Sequence, residues 1–261
     1  MTQLFGILNI TEDSFSDGGR YLQPDAVLAQ ARLLARDADV IDLGAASSNP
    51  DAKPVAPDVE IARLVPVVAA LKKENVSISI DTFSPDAQRW ALAQHVDYLN
   101  DIRGFPHAEL YPDFAASDAK LVVMHAVDGH ATRANVPPEE IVGRALSFFD
   151  KRITALIRAG ISQERLILDP GMGFFLGGNP DASVTMLRAL PKLKEAFNLP
   201  LFVSVSRKSF VRALAERSTQ EAGAATLAAE LFAIAQGADY LRTHDPAATR
   251  DALKVWAALN R

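Results

Sequence analysis

The chain has 261 residues, of which 49% are hydrophobic and 23% charged, the balance of an ordinary globular protein. It contains no cysteine, which excludes disulfide frameworks, zinc–thiolate centres and cysteine nucleophiles. Its net charge of −5 argues against nucleic acid as a partner, because binding a phosphate backbone requires clustered Lys and Arg.

Eight short apolar segments are predicted to be β-strands. In chain order they are residues 4–10, 40–44, 77–81, 98–101, 121–125, 166–171, 201–206 and 240–245. Continuous aliphatic runs indicate strands buried on both faces, as in a parallel sheet covered by helices. The first segment has the pattern of a core strand rather than a secretion signal, and no run approaches the roughly 20 apolar residues that cross a bilayer. We therefore expect a cytoplasmic protein without a membrane partner.

Helical patterns separate the predicted strands. An apolar face recurs at helical spacing over 27–35. Ser84, Pro85 and Asp86 supply a cap residue, a first-turn proline and an early acid, so a helix is predicted to begin there. Strands alternating with helices, without a linker, predict a single (β/α)₈ TIM barrel over 1–261. The alternative is an open doubly wound sheet, although no G-x-G-x-x-G follows the first strand.

Polar residues stand at the carboxyl ends of these strands, where parallel α/β proteins bind ligands. A single Asp or Asn in such a place is most often a helix cap or a turn former. Seven converging on one barrel mouth favour a site, because caps have no reason to share a side-chain direction. The seven are Asn9, Asp81, Asn100, Asp169, Lys208, Arg242 and His244.

The seven residues divide into two chemical sets. The acceptors and amides suit a flat heterocycle, because a carboxylate accepts two parallel N–H bonds from an aminopyrimidinone edge and an Asn satisfies a neighbouring N/O pair. This set is Asp81, Asn100 and Asp169. The cations and the remaining amide suit an anion, and the arginine suits phosphate geometry. This set is Lys208, Arg242, His244 and Asn9. No pattern of a covalent nucleophile accompanies them.

Six motifs spread in order over almost the whole chain resemble those of the dihydropteroate synthases. They are GILNITEDSFSDGG (6–19), SIDTFSPDAQ (79–88), NDIRGF (100–105), DPGMGF (169–174), SRKSF (206–210) and RTHD (242–245). The resemblance implies a transferase of folate biosynthesis that joins 4-aminobenzoate to dihydropterin-CH₂-diphosphate and releases diphosphate. It also implies that Mg²⁺ accompanies the diphosphate and that the barrel is a homodimer.

The resemblance implies a role for each matching residue. The pterin would be held by Asp81, Asn100, Asp169 and Lys208. The diphosphate would be bound by Asn9, which also contacts Mg²⁺, and by Arg242 and His244. The aminobenzoate would be bordered by Ser209 and by the loop 173–178, which contains Phe174 and Phe175. Ser48, which keeps the hydroxyl of the usual Thr, and Thr243 are also expected to bind substrate. The residues expected to assist the reaction itself are Asp81, Lys208 and Arg242.

Two loops depart from the usual family pattern. After the second strand the family reads E-S-T-R-P-G, whereas this chain reads A-S-S-N-P-D over 46–51, without the Glu and the Arg. After D-P-G the family continues towards G-F-G-K, whereas this chain reads F-F-L-G over 174–177, which loses a Lys and adds bulk. Both departures resemble the sulfonamide-resistant dihydropteroate synthases of mobile elements, so insensitivity to sulfonamides is expected.

Two other functions remain open at this point. Methyltetrahydrofolate:corrinoid methyltransferases are similar pterin-binding barrels, but they have no reason to keep the S-R-K-S and R-x-H residues. A non-catalytic pterin-binding module would be expected to lose Asn9, Lys208 or Arg242, and all three are present.

Overall fold

The structure, a computed structural model, describes residues 2–10, 24–47, 51 and 53–260. Its strands are β1 (Gln3–Asn9), β2 (Val40–Gly44), β3 (Ile78–Asp81), β4 (Tyr98–Asp101), β5 (Lys120–Met124), β6 (Leu166–Asp169), β7 (Phe202–Val203) and β8 (Tyr240–Thr243). They pair in parallel in the order β6-β5-β4-β3-β2-β1-β8-β7. A parallel bridge between Leu168 and Leu201 joins the two ends of the sheet. The predicted (β/α)₈ barrel is therefore confirmed.

Helices follow the strands on the outside of the barrel. They are α1 (Pro24–Leu34), α2 (Pro57–Lys73), α3 (Pro85–Ala93), α4 (Tyr111–Ala115), α5 (Pro138–Arg158), α6 (Pro180–Arg188), α7 (Leu190–Phe197), α8 (Ser209–Ala215), α9 (Gly223–Ala235) and α10 (Pro246–Leu259). The predicted cap of α3 is confirmed, because the side chain of Ser84 accepts a hydrogen bond from the N–H of Ala87. Among the described helices, none is both long and apolar enough to cross a membrane.

The lower part of the barrel interior is filled by large apolar side chains, which we call the barrel floor. Its members are Phe5, Val40, Tyr98, Val122, Ile167, Phe202 and Tyr240. The ring of Phe5 lies edge-on to Tyr98 and to Phe202, with centroids 4.9 Å apart in both pairs, and 5.8 Å from Tyr240. Because these side chains fill the lower part of the barrel interior, a cleft inside the barrel lies above them.

The layer above the floor is largely polar. Side chains alternate along a strand, so the residue two positions after a floor residue again faces inward. Counting two residues on from the floor gives Asp42, Asn100, Asp169, Ser204 and Arg242, with Ile7 and Met124. The rim of this end is formed by residues that pair with each other across neighbouring strands. Asn9 pairs with Gly44, Gly44 with Asp81, and Asp81 with Asn100. The sheet register thus gathers the predicted polar residues at one end.

Four strands are shorter than the predicted segments 77–81, 166–171, 201–206 and 240–245. The segment 166–171 stops at Asp169, because Pro170 has no N–H and Gly171 turns with φ of +74°. The segment 201–206 is a strand only at Phe202–Val203, since the chain then turns, with the N–H of Lys208 donating to the carbonyl of Val205.

Truncation of the floor is expected to destabilise the barrel. Phe5→Ala should lower the free energy of unfolding by about 3–5 kcal/mol, because a fully buried ring is removed from three aromatic neighbours and leaves a cavity. Leu33→Ala, on the exposed side of α1, should change it by less than about 0.5 kcal/mol. Urea-induced unfolding measures both values. Similar losses in the free energy of unfolding for the two variants would contradict a stabilising role of the barrel floor.

Candidate active site

A cleft of about 390 Å³ opens above the polar layer, at the carboxyl ends of the strands. Of the residues predicted for the site, those lining it are Asn9, Asp81, Phe174, Phe175, Lys208, Ser209, Arg242 and His244. Asn100 and Asp169 are buried at the same end of the barrel. Ser48 lies outside the described residues.

The charge at the centre of this arrangement is the guanidinium of Arg242. Its Nε donates to Oδ2 of Asp42 at 2.5 Å, and its Nη2 donates to Oδ2 of Asp81 at 2.7 Å. Burial disfavours the guanidinium, but the two carboxylates more than offset this and raise the pKa of Arg242. Burial also raises the pKa of Asp81, to about 7, against the opposing field of Arg242. Arg242 is thus an ion-paired residue before any ligand arrives.

Asp42 is a member of the site that the sequence analysis missed. It is fully buried inside β2, and its other oxygen, Oδ1, has no hydrogen-bond partner among the described residues. The signal was present, because an acid within the apolar run V-I-D-L-G has to find a cation or lose its charge. Asp42 also lies two residues before Gly44, so its side chain faces the interior of the barrel, as those of the rim residues do.

Asp169 is held with one oxygen free. Its Oδ1 accepts the N–H of Gly171 at 2.8 Å, and burial raises the pKa of the carboxyl to about 6. Gly171 is required at the turn, because a Cβ there would lie 2.3 Å from the carbonyl oxygen of His125. Oδ2 of Asp169 accepts no hydrogen bond within the described chain. The turn therefore fixes a buried acceptor and leaves it available.

Asn100 provides a second available acceptor. It is 3% exposed, and its Oδ1 has no hydrogen-bond partner in the described part of the chain. A buried amide oxygen without a partner is unfavourable, so such an atom at the end of the barrel where the cleft opens is a candidate for ligand contact. Asn100 and Asp169 thus both keep an acceptor oxygen without a partner at the end of the barrel predicted to bind a flat polar heterocycle.

Lys208 lies beside Phe175 in the lining of the cleft. Its Nζ is 4.7 Å from the centroid of the Phe175 ring. Burial lowers the pKa of Lys208 to about 8, and the nearby Arg242 lowers it further, while the site carboxylates oppose both effects. The amine is therefore mostly protonated near neutral pH, and its pKa is close enough to that pH for a bound ligand to change its protonation state.

His244 forms the outer polar wall of the cleft. Its Nδ1 lies 2.9 Å from Oγ of Ser206, and its backbone N–H donates to the same oxygen at 3.2 Å. Burial and the positive charge of Arg242 lower the pKa of His244 to about 3, so the ring is neutral at physiological pH. Its Nε2 has no hydrogen-bond partner within the described ranges and is left for a ligand.

Two residues lie apart from the cleft. Thr243 is buried on the opposite side of β8 from Arg242, where the hydroxyl of Thr249 lies 3.4 Å from its own. The structure therefore places Thr243 against the helices and not in the cleft, although it was predicted to bind substrate. His125 is also buried; its Nδ1 lies 3.1 Å from the carbonyl oxygen of Pro170, and burial lowers its pKa to about 4. Because a carbonyl only accepts, Nδ1 must carry the proton.

Removing one partner of the buried ion network is expected to destabilise the fold. Asp42→Asn should lower the free energy of unfolding by about 3 kcal/mol, because a buried cation loses one of two carboxylates. Asp113→Asn removes a carboxylate from the exposed Arg89–Asp113 pair and should cost less than about 1 kcal/mol. Urea-induced unfolding of both variants decides the matter. Equal effects would show that Arg242 does not depend on Asp42.

The sequence matches the family described as pterin binding enzyme over residues 5–244. Dihydropteroate synthase type-2 of Escherichia coli is 58% identical over 258 residues, which cover 98% of this chain and 95% of the relative. Dihydropteroate synthase type-3 of Escherichia coli is 52% identical over 262 residues, covering 99% and 100%.

Solved structures agree with these relatives. Xanthomonas albilineans dihydropteroate synthase with 4-aminobenzoic acid superposes with a TM-score of 0.91 at 34% identity, over 99% of this chain and 93% of that one. The same enzyme in complex with 7,8-dihydropteroate gives a TM-score of 0.86 at 33% identity, over 99% and 94%. The chain therefore belongs to the pterin-binding enzymes and, within them, to the dihydropteroate synthase family.

Proposed function

We propose that the protein condenses dihydropterin-CH₂-diphosphate with 4-aminobenzoate to give 7,8-dihydropteroate and diphosphate. The observation that carries this proposal is the pair of available buried acceptors, Asn100 Oδ1 and Asp169 Oδ2, beside a cationic cleft. Relatives of known structure hold 4-aminobenzoic acid and 7,8-dihydropteroate. A pterin with its exocyclic amine and ring N–H groups matches the acceptors, and an anionic side arm matches the cations.

The anion end of the site uses the neutral His244 and the paired Arg242. Because Nε and Nη2 of Arg242 are engaged by Asp42 and Asp81, a departing diphosphate meets the remaining Nη1 and the Nε2 of His244. As negative charge grows on the leaving oxygen, the guanidinium is already oriented and does not have to reorganise. Lys208 adds a second positive charge at the pterin end.

The reaction needs no covalent nucleophile from the protein. The C–O bond between the pterin methylene and diphosphate breaks, and the amine nitrogen of 4-aminobenzoate forms the new C–N bond and then loses a proton to water or to diphosphate. An aryl amine is neutral at pH 7, so a strong base is not required. The protein's contribution is to orient the two substrates and to stabilise the charges that develop.

Mg²⁺ fits the anion end of this site. A Cβ added to Gly44 would lie 3.5 Å from Oδ1 of Asn9 and 3.8 Å from Oδ2 of Asp81, so two hard oxygen donors border the same gap. Mg²⁺ typically takes one or two protein oxygens together with substrate phosphates. We propose that Asn9 is the protein ligand, and Mg²⁺ bound there would neutralise charge on the diphosphate.

A homodimer is the assembly we propose. The outer helices α9 and α10 contact each other, and they expose Phe232 to 40%, Val255 to 60% and Leu259 to 78%. Large apolar side chains gathered on neighbouring helices favour a second protein surface over water. Sedimentation at micromolar concentration tests this proposal, and a monomer under those conditions would contradict it.

One assay separates the three candidate functions. The protein is incubated with the pterin diphosphate, 4-aminobenzoate and Mg²⁺, and diphosphate release is measured. Release that depends on 4-aminobenzoate supports the synthase. Pterin binding without release would indicate a binding module, and methyl transfer from methyltetrahydrofolate would indicate the corrinoid-type enzyme.

Asp169→Asn is expected to weaken pterin binding. The substitution presents an N–H₂ group where an acceptor is needed, which costs about 1–3 kcal/mol. In the parent, the affinity should also decline as the pH falls through about 6, because protonated Asp169 loses its acceptor role, and this decline should be smaller in the variant. Calorimetry measures both effects. Asp181→Asn, an exposed acid at the start of α6, is the control; unaltered affinity in folded Asp169→Asn would remove Asp169 from the site.

Phe175 is expected to govern sulfonamide insensitivity. Its ring is 6% exposed and lines the cleft beside Lys208, so it can accept a small planar carboxylate and exclude the branched sulfonyl group of a drug. A clash of about 2–3 kcal/mol corresponds to roughly 30- to 150-fold discrimination. Phe175→Gly should therefore lower the inhibition constant for sulfonamides by about tenfold or more, with a smaller change in KM for 4-aminobenzoate.

The neighbouring Phe174 supplies the matched comparison. It is partly exposed, and its ring lies 5.4 Å from the guanidinium of Arg133. Phe174→Gly should change drug sensitivity less than Phe175→Gly does. If the enzyme trimmed at Phe175 stays as insensitive as the parent, Phe175 is not the residue that excludes the drug.

A further inference from the structure

The outer end of the cleft carries a cation that the sequence motifs did not single out. Arg212 lies on α8, three residues after Ser209, and both side chains line the cleft. Residues three apart on a helix share a face, so Arg212 continues the wall that begins with Ser209. Ser209 in turn borders the turn after β6, where a Cβ on Gly173 would lie 3.0 Å from its Oγ.

The guanidinium of Arg212 is not fully satisfied by the protein. Its Nε is buried, and it has no hydrogen-bond partner in the described part of the chain. Leaving a charged group without an acceptor is unfavourable, so the guanidinium gains from an anionic ligand bound in the cleft beside it. Arg207, which also lines the cleft, is different because its side chain is exposed.

The orientation of the aryl substrate follows from the proposed function, on which this inference rests. The amine of 4-aminobenzoate must face the pterin methylene, and the para-carboxylate therefore points to the opposite end of the ring. We place that end of the ring beside the cleft residues of α8 and of the turns on either side of it, which are Arg207, Ser209, Arg212 and Thr219. A carboxylate at that end meets the face of α8.

We propose that Arg212 binds the carboxylate of the aryl amine and selects anionic over neutral acceptors. The two terminal N–H groups of Arg212 form a fork that matches two carboxylate oxygens. Ser209 supplies a hydroxyl on the same face. The residue acts on substrate recognition, because the carboxylate keeps the same charge throughout the reaction, and it should affect KM far more than kcat.

The test compares charged and neutral ligands in matched variants. The variants are Arg212→Gln, Arg212→Lys and, as a control, Arg217→Gln, which alters an exposed arginine just after α8 that does not line the cleft. For each, KM and kcat are measured with 4-aminobenzoate, and the inhibition constant is measured for 4-aminobenzamide, which lacks the charge. Urea-induced unfolding checks that each variant is folded.

Arg212→Gln should raise KM for 4-aminobenzoate about tenfold or more, equivalent to about 1.4 kcal/mol, while kcat and the inhibition constant of the amide stay within about twofold. Arg212→Lys should be intermediate, since it keeps the charge and loses the fork. Arg217→Gln should match the parent. Equal losses for acid and amide would make Arg212 structural, and no loss for either would overturn the proposal.

A measurement on the parent protein keeps the proposal testable if Arg212→Gln does not fold. The parent must bind 4-aminobenzoate at least about tenfold more tightly than 4-aminobenzamide, and equal binding overturns the role of Arg212. The proposed function fails in a different way. A parent that releases no diphosphate with 4-aminobenzoate refutes the synthase reaction, whereas a working parent with unaffected Arg212 variants refutes only this inference.

Discussion

The site depends on one buried charge, the guanidinium of Arg242, held above an apolar floor. A charge cannot leave water at a tolerable free energy unless it is paired and hydrogen-bonded, and Arg242 has both Asp42 and Asp81 as partners. The pairing fixes the direction of Asp81, and its field contributes to the shifted pKa values of Lys208 and His244. The electrostatics of the cleft are therefore set by a network that exists before substrate binds.

The strand period explains where the structure places the predicted site residues of β8 and β2. An inward direction recurs every second residue, so Tyr240, Arg242 and His244 face the barrel while Thr243 faces the helices. Thr243 was included because it stands inside the R-T-H-D motif, and the motif carries no information on direction. Applying the period to β2 would have found Asp42, because it follows the floor residue Val40 by two positions. Asp42 was missed and Thr243 was included for the same reason, because the alternation of side-chain direction along a strand was not applied.

The contacts between loops could not be predicted from the sequence. Arg133 donates to both oxygens of Asp51, at 2.9 and 2.5 Å, and its guanidinium also lies over the Phe174 ring. Asp51 and Phe174 belong to the two loops that depart from the usual family pattern. Their link through Arg133 joins residues 82 positions apart, and no local propensity or spacing specifies such a contact. The exposed pair adds little stability, but it couples the two altered loops in space.

The position of the unsatisfied polar atoms connects stability with function. Asp42 Oδ1 and Asn100 Oδ1 lie in the barrel, and Ser204 Oγ and Arg212 Nε belong to residues that line the cleft. Each buried atom without a partner lowers the stability of the ligand-free protein, and a core built for stability alone would replace it with an apolar group. Under the proposed function, a pterin and an aryl carboxylate would bring hydrogen-bonding groups to several of these atoms, and their binding would offset part of this loss of stability. Buried polar atoms without partners are expected at a binding site, because their hydrogen bonds must stay unformed until the substrates bind.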